Sequence, residues 1–333
     1  MGPHVATYLE LPAHVAMRIL GTGTWQSLQG TARDAVMAAI DVGYRHFDCL
    51  YLQQNESDIG DALQEKMEDG AVRQEDLFIV SKRWSAFHQR SLLKEEHQKT
   101  LVALQLGSRG LYPMHWPTGF KAGEELFPAD GRGIIIPRDT DFLGPWEAVE
   151  GLGNAGMVKA VGVSNFNRKQ IDRLLSKPVL KTQTCNDQVN YPPHLPQEEL
   201  MKFCQSKGIS VTAYCPLGVP NWPWSKPEDI SLSDEPQIKE IALNCNKTPA
   251  QVLLWLQVQG NGRVIPKSVT PHHAEENLKV RGYLTKLLMV LNFTQKNPLC
   301  QWNEVTHLSH RMLQTSEFPR EQLNIAGKFG DSS

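Results

Sequence analysis

The sequence predicts an α/β protein whose main domain is a (β/α)8 TIM barrel. Apolar runs of strand length alternate with amphipathic stretches of helix length, and eight such pairs follow one another. Together they span about 260 residues, which is the size expected for such a barrel. A doubly wound sheet also alternates, but it usually has a glycine-rich turn after its first strand, and Gly21-Thr22-Gly23 lacks the third glycine.

The predicted elements lie within residues 19–280, and each strand precedes its helix. The predicted strands are 19–23, 46–48, 77–81, 111–115, 160–164, 184–189, 209–215 and 264–267. The predicted helices are 31–42, 55–67, 89–104, 146–155, 168–175, 197–206, 237–244 with 249–257, and 271–280. We expect residues 1–280 to form a single barrel domain with an N-terminal hairpin. Residues 281–333 break the pattern, so we expect a divergent and poorly structured C-terminal segment.

The composition argues against several functional classes. Lys+Arg total 34 and Asp+Glu total 36, so the net charge of −2 gives no basic excess for nucleic acid or an anionic membrane surface. No apolar run reaches the roughly 18 residues of a membrane span. The six scattered cysteines have no C-x-x-C spacing, which favours a reducing, cytoplasmic compartment. We expect no metal site, because no His/Asp/Glu group has the spacing of metal ligands.

Polar side chains lie at the C-terminal ends of the predicted strands, which a barrel brings together at one mouth. In chain order they are Asp48, Lys82, His115, Ser164 with Asn165, Gln188, Tyr214 and Lys267. Strand ends are often polar because they meet solvent. Seven in succession, with an acid, a lysine and a histidine among them, nevertheless indicate an active site at this mouth of the barrel.

Ten segments carry a resemblance to one enzyme family. They are GTGTW (21–25), GYRHFDCLY (43–51), DLFIVSKRW (76–84), MHWPTGFK (114–121), IIIPRDTDFL (134–143), GVSNFN (162–167), DQVNYPP (187–193), VTAYCPLG (211–218), KPEDISL (226–232) and VIPKSVTP (264–271). Residues 15–280 resemble the aldo-keto reductases, closest to the aldose reductase and aldehyde reductase branch. The resemblance implies a cytosolic monomer that binds NADP(H) and reduces small aldehydes or ketones by hydride transfer.

The resemblance also implies catalytic roles, and one of them is unfilled. In the family a tyrosine protonates the developing alkoxide, a lysine paired with an aspartate acidifies that tyrosine, and a histidine orients the carbonyl. Asp48, Lys82 and His115 match three roles, but Gln53 stands where the tyrosine is expected. A glutamine amide is no usable acid near neutral pH, and Tyr51 would be displaced along the chain as a substitute. We expect a reductase of low activity or, as the alternative, an inactive NADP(H)-binding barrel.

The cofactor positions match the family better. The resemblance stacks Tyr214 on the nicotinamide ring and sets Lys267 against the 2′-phosphate. His273 stands where the family usually has an arginine against the adenine, so we expect weaker NADPH binding and a smaller preference over NADH. The expected cofactor contacts are Gly23, Thr24, Trp25, Asp48, Ser164, Asn165, Gln188, Tyr214, Cys215, Leu217, Lys267, Ser268, Val269, Thr270, His273, Glu276 and Asn277.

The family lines its substrate pocket with aromatic side chains. The matching pocket residues here are Trp25, Trp84, His115, Trp116, Phe120 and Trp224. Two departures, Gly110 and Pro113, fall in the strand that leads to His115. A proline inside a central strand removes a ladder donor, which can displace the histidine. The segment 281–333 does not resemble the family's closing loop, so we expect a pocket open on one side.

Overall fold

The computed structural model describes residues 8–11, 15–25, 27, 30–51, 54–87, 90–121, 123, 125–131, 136–138, 141–191, 197–218 and 231–280. Gln53 as the tyrosine replacement, Trp224 in the substrate pocket and the C-terminal segment 281–333 lie outside these residues. All other residues assigned to the site from the sequence are described.

Eight parallel strands form a barrel. In the described part of the chain the strands are β1 (Tyr8–Leu11), β2 (Val15–Arg18), β3 (Thr22–Gly23), β4 (His46–Leu50), β5 (Phe78–Lys82), β6 (Arg109–Met114), β7 (Gly119–Phe120), β8 (Pro137–Arg138), β9 (Val158–Ser164), β10 (Asn186–Asn190), β11 (Ser210–Tyr214) and β12 (Arg263–Ile265). The sheet has the order β3-β4-β5-β6-β9-β10-β11-β12. It closes on itself because the N–H groups of Gly21 and Gly23 donate to the carbonyls of Val264 and Pro266, at 2.9 and 3.0 Å. This is the predicted (β/α)8 fold.

Helices follow the strands and pack on the outside of the barrel. The described helices are α1 (Thr31–Val42), α2 (Glu56–Glu68), α3 (Arg90–Leu104), α4 (Leu143–Asn154), α5 (Arg168–Leu175), α6 (Glu198–Ser206), α7 (Pro236–Cys245), α8 (Pro249–Gln259) and α9 (Pro271–Leu278). Their ends follow local sequence. Thr248 caps α8 by accepting from the N–H of Gln251 at 3.3 Å, with a proline at the first helical position. Gly43 ends α1 with φ 109°, a conformation that glycine adopts without strain.

The observed elements differ from the predicted ones mainly at their ends. Strand β6 ends at Met114, so His115 lies just beyond it, and β12 ends two residues before Lys267. Pro145 falls in the first turn of α4, where the missing proline N–H is not needed. The long loop after β6 contains the short antiparallel pair β7 and β8, which no pattern in the sequence predicts.

The N-terminal hairpin covers one end of the barrel. Strands β1 and β2 pair antiparallel, with Tyr8 opposite Arg18. The buried side chains of Leu11 and Met17 pack against Phe78, which begins β5. The hairpin therefore sits where the strands begin, at the end of the barrel opposite the strand termini that carry the site.

Pro113 interrupts the pairing between β5 and β6. The two strands pair at Val80, and the next pairing is at Arg83, because proline has no N–H to donate between them. The strand ends nevertheless stay joined. The N–H of Arg83 donates to the Pro113 carbonyl at 3.0 Å, and the N–H of His115 donates to the Arg83 carbonyl at 3.2 Å. His115 is therefore held beside the end of β5 by its backbone.

Candidate active site

Asp48 and Lys82 form an ion pair inside the mouth of the barrel. The Lys82 Nζ lies 2.7 and 2.6 Å from the two carboxylate oxygens of Asp48. The two side chains are only 5% and 12% exposed, so solvent ions screen the pair weakly. An ammonium group has three donors, and this pair uses two of them. One N–H of Lys82 thus remains for a third acceptor.

The His115 imidazole is neutral and lies beside this pair. Burial and the charge of Lys82 lower the pKa of His115 well below its usual range. Its Nδ1 is buried without a hydrogen-bond partner among the described residues. Its Nε2 likewise makes no hydrogen bond to the described part of the chain. A neutral imidazole in this position can donate one hydrogen bond to an incoming oxygen.

Asn165 ties together the ends of several strands. Its Nδ2 donates to the His115 carbonyl at 3.0 Å and to the Ser164 hydroxyl at 3.1 Å. The Tyr214 hydroxyl donates to Asn165 Oδ1 at 2.8 Å, and Ser164 donates to the Gln188 carbonyl at 2.7 Å. Asn165 has a positive φ of 61°, which asparagine tolerates better than most residues. The network links β6, β9, β10 and β11 around the mouth.

The segment at the end of β3, the first strand of the barrel, is also held in place by hydrogen bonds. Thr24 binds the Asp48 carbonyl twice, through its N–H at 3.1 Å and its hydroxyl at 3.0 Å. A Cβ added to Gly23 would lie 3.3 Å from the Ile265 carbonyl, so the closure of the barrel favours glycine there. Trp25 follows and is half-buried.

The loop after β12 is much more open. Lys267, Val269, Thr270 and His273 are exposed, and Ser268 is half-buried. Within the loop, the Ser268 hydroxyl donates to the Thr270 carbonyl at 3.2 Å and accepts from its N–H at 3.1 Å. This small turn precedes helix α9. The loop therefore presents one cation and several backbone groups to solvent.

The remaining cofactor candidates range from buried to half-buried. Asn277 is buried in α9, and the neighbouring Glu276 is half-buried, its carbonyl accepting from the Gln251 side chain at 2.9 Å. Cys215 and Leu217 follow β11 and are half-buried, and Cys215 has a positive φ of 51°.

Aromatic rings form a wall beside His115. The Trp84 ring lies 5.2 Å from the His115 ring, and the Trp116 ring lies 5.8 Å from it on centroids. Trp84 is buried, and its indole N–H donates to the Leu126 carbonyl at 2.7 Å. Phe120 is also buried and packs edge-on against Trp84 at 5.6 Å. Trp116 is the most open of the three, so it can contact a substrate most directly.

Buried polar residues at the start of α2 escaped the sequence reasoning. The Asn55 side chain donates to the carbonyls of Thr24 and Ser27 at 3.3 and 3.2 Å. The Ser81 hydroxyl donates to the Glu56 carboxylate at 2.7 Å. These bonds fix the segment that follows Asp48 to β5 and to the loop after β3. An Asn-Glu dipeptide before a helix looks like an ordinary helix start, so the sequence carries no signal for this role.

Asp187 is a second group that sequence reasoning missed. It is fully buried on β10, and burial raises the pKa of its carboxyl well above the usual range. Neighbouring residues of a strand face opposite sides, so Asp187 faces away from the Gln188 side chain. An ionisable residue in the middle of a strand segment, next to the site residue Gln188, is the signal that could have found it.

Within the described residues, no group of three or more His, Cys, Asp or Glu side chains could hold a metal ion. None of the described helices is long and apolar enough to cross a membrane.

Comparisons with known proteins agree with the geometry. The model of the aldo/keto reductase family matches residues 19–286. The chain is 42% identical over 265 residues to the Homo sapiens protein named aldo-keto reductase family 1 member A1, covering 79% of this chain and 81% of that protein. The Gallus gallus protein of the same name is 43% identical over 263 residues, covering 79% and 80% of the two chains.

A solved structure gives the same result for the fold. The aldose reductase from Schistosoma japonicum superposes with a TM-score of 0.83 at 33% identity, covering 95% of this chain and all of that one. The family match and these relatives support an oxidoreductase that acts on small carbonyl compounds. The chain therefore belongs to the aldo-keto reductase family.

Proposed function

We propose that the protein is a cytoplasmic monomer that reduces aldehydes or ketones to alcohols with NADPH, at low turnover. One observation carries the proposal: the buried Asp48–Lys82 ion pair lies beside the neutral His115 imidazole at the barrel mouth. The names of the relatives, which include aldose reductase, point to the same reaction class. The catalytic set is Asp48, Lys82, His115 and Gln53.

The residues present fit a nicotinamide cofactor. Tyr214 offers an aromatic face, and the Gln188 amide makes no hydrogen bond to the described residues, so it is available to a carboxamide. The exposed Lys267 offers a cation for a phosphate. When bound, the cofactor supplies the hydride. We assign its binding to the cofactor contacts expected from the sequence.

His115 and Lys82 would bind the oxygen of the substrate carbonyl. An unpaired buried N–H is rarer in proteins than an unpaired acceptor. The unpartnered Nδ1 of His115 therefore favours the tautomer with the proton on Nε2, which can donate to that oxygen. The spare N–H of Lys82 is the second donor. Both bonds strengthen as negative charge develops on the oxygen, which is how oxyanion stabilisation lowers a barrier.

Gln53 is the reason for proposing low turnover. The position lacks a group that can release a proton near neutral pH. Losing a general acid lowers a rate by about 10²- to 10⁴-fold. The same residue favours the alternative function, an NADP(H)-binding barrel without catalysis.

A steady-state assay of NADPH oxidation with aromatic and aliphatic aldehydes separates these functions. Turnover above background that disappears in Lys82→Met and in His115→Ala would support the reductase. Saturable NADPH binding, followed by tryptophan fluorescence, without turnover would support the inactive barrel. Absence of both binding and turnover would contradict both functions.

A further inference from the structure

Arg83 is a buried cation directly behind the catalytic ion pair. It follows Lys82, and because neighbouring strand residues face opposite sides, its side chain leaves the barrel where that of Lys82 enters it. The side chain is fully buried. One guanidinium nitrogen donates to the Pro145 carbonyl in the first turn of α4 at 3.0 Å.

Arg83 belongs to a group of buried polar side chains outside the barrel. We call Arg83, Glu96, His97 and Tyr112 the Arg83 cluster. The Tyr112 hydroxyl donates to the Glu96 carboxylate, and the His97 ring meets the Tyr112 ring nearly at right angles at 5.3 Å. Burial lowers the pKa of Arg83 to about 10, against the opposing influence of Tyr112 and Glu96. Arg83 therefore stays charged at neutral pH, between α3, α4 and the two strands.

The same residue joins the two catalytic strand ends. Pro113 leaves a gap in the pairing of β5 with β6, at the level of Lys82. Beyond that gap, the described backbone bonds between the strand ends both pass through Arg83, one to Pro113 and one from His115. Any movement of the Arg83 backbone is therefore transmitted to His115 on one side and to Lys82 on the other.

We propose that Arg83 is a positioning residue for carbonyl reduction. By anchoring its guanidinium against α3 and α4, it fixes the end of β5 and with it the spacing between the Lys82 ammonium and the His115 imidazole. Donors to a developing oxyanion must keep their geometry closely, because a misplacement of about 1 Å can reduce a rate by about 10²-fold. The inference rests on the proposed reductase function.

The chain provides a matched control in Arg263. This arginine is also buried, one of its guanidinium nitrogens donates to a backbone carbonyl, that of Val211, at 3.2 Å, and burial lowers its pKa to about 10. It begins β12, at the opposite end of the barrel from the site. Replacing either arginine with methionine removes a buried guanidinium and a bond of the same type. Only Arg83 adjoins the catalytic residues.

The test compares Arg83→Met, Arg83→Lys and Arg263→Met with the unmodified full chain. The first readout is the NMR signal of the His115 ring in protein labelled with carbon-13 histidine, identified by its loss in His115→Asn. The second is kcat and KM for NADPH-dependent reduction of 4-nitrobenzaldehyde. We expect Arg83→Met to shift the His115 signal and lower kcat by about tenfold to a hundredfold at nearly constant KM. Arg83→Lys should restore most of the loss, and Arg263→Met should change neither readout.

An unchanged His115 signal and kcat in Arg83→Met would overturn the inference, as would equal changes in Arg263→Met. If Arg83→Met alone fails to fold, the double variant Arg83→Met with Glu96→Gln replaces it in the comparison, because it also removes the buried negative charge of Glu96 that acts on Arg83. If the unmodified protein shows no turnover, the reductase proposal fails by itself. The His115 signal still decides whether Arg83 positions the histidine.

Discussion

The two ends of the candidate cofactor site differ in how far the folded chain organises them. At the inner end, Asn165 and Lys82 are buried and hydrogen-bonded to residues of neighbouring strands. At the outer end, Lys267, Thr270 and His273 are exposed, and the hydroxyl of Ser268 forms a small turn with the backbone of Thr270. The inner end is set by the barrel itself, and the outer end by a surface loop.

The two ends should therefore contribute to ligand binding in different ways. Preorganised donors at the inner end lose little entropy when they bind, and low exposure strengthens their electrostatic interactions. A surface cation acts in water, where salt screens it, and its side chain must be ordered on binding. We therefore expect the inner end to determine chemistry and the outer end to determine which nucleotide is preferred.

Restoring the missing acid at the inner end should have the largest effect. We expect Gln53→Tyr to raise kcat for aldehyde reduction at least tenfold, within the roughly 10²- to 10⁴-fold that a general acid contributes. The neighbouring Gln54→Tyr is the control, since it adds the same side chain one residue away and should leave kcat unchanged. If kcat does not rise in Gln53→Tyr, another difference from the family's sequence prevents catalysis at the inner end.

The buried residue His46 should make the stability of the fold decrease at low pH. Burial lowers the pKa of His46 to about 4, and its Nδ1 lies 3.1 Å from the Arg18 carbonyl. The unfolded chain binds this proton near pH 6.5, so the contribution of His46 to stability is complete above that pH and decreases as the pH falls toward 4. The loss is roughly 3 kcal/mol between pH 7 and 4.

Urea denaturation of the unmodified protein and of His46→Gln across this pH range isolates the effect. The raised pKa of Asp187 acts with the opposite sign, because the folded chain keeps a proton there that the unfolded chain releases. Asp187 is present in both proteins and cancels in the difference. Parallel stability curves for the two proteins would contradict the prediction.

The outer end should affect only the binding of NADPH, the nucleotide that carries a 2′-phosphate. We expect Lys267→Met to weaken NADPH binding by about tenfold and to leave NADH binding unchanged, with a difference that shrinks as salt is added. Fluorescence titrations with both nucleotides measure this. Lys279→Met is the control, because Lys279 is an exposed lysine that lies outside the expected cofactor contacts and pairs with Glu275 on α9. An equal loss for NADH would place Lys267 outside the phosphate site.

The smallest effect is expected from one bond of the inner network. Tyr214→Phe keeps the aromatic face and removes the hydroxyl that donates to Asn165 at 2.8 Å. A neutral hydrogen bond contributes roughly 1 kcal/mol, so both NADPH and NADH should bind about fivefold more weakly. A loss confined to NADPH would show that the two ends are not separate.

Barrel topology explains why the sequence could predict which polar side chains lie together at the inner end. Alternating strands and helices bring polar strand ends such as Asp48 and Lys82 to one mouth, whatever the loops do. Their pairing follows from neighbouring strands. The Arg83 cluster could not be predicted in this way, because its side chains lie outside the barrel, between strands and helices, and in the sequence they look like ordinary surface polar residues. The β7 and β8 pair is too short to leave a periodic signal.

The seam between β3 and β12 joins the first barrel strand to the last. Gly23 lies on one side of this seam and Lys267 on the other, and the two pair there. A dinucleotide that contacts both residues would link the first strand of the barrel to the last strand. Such a ligand binds only the closed barrel. At saturating concentrations, the free energy of unfolding should therefore increase with the logarithm of the ligand concentration. The nucleotide would then stabilise the closed barrel as well as take part in the reaction.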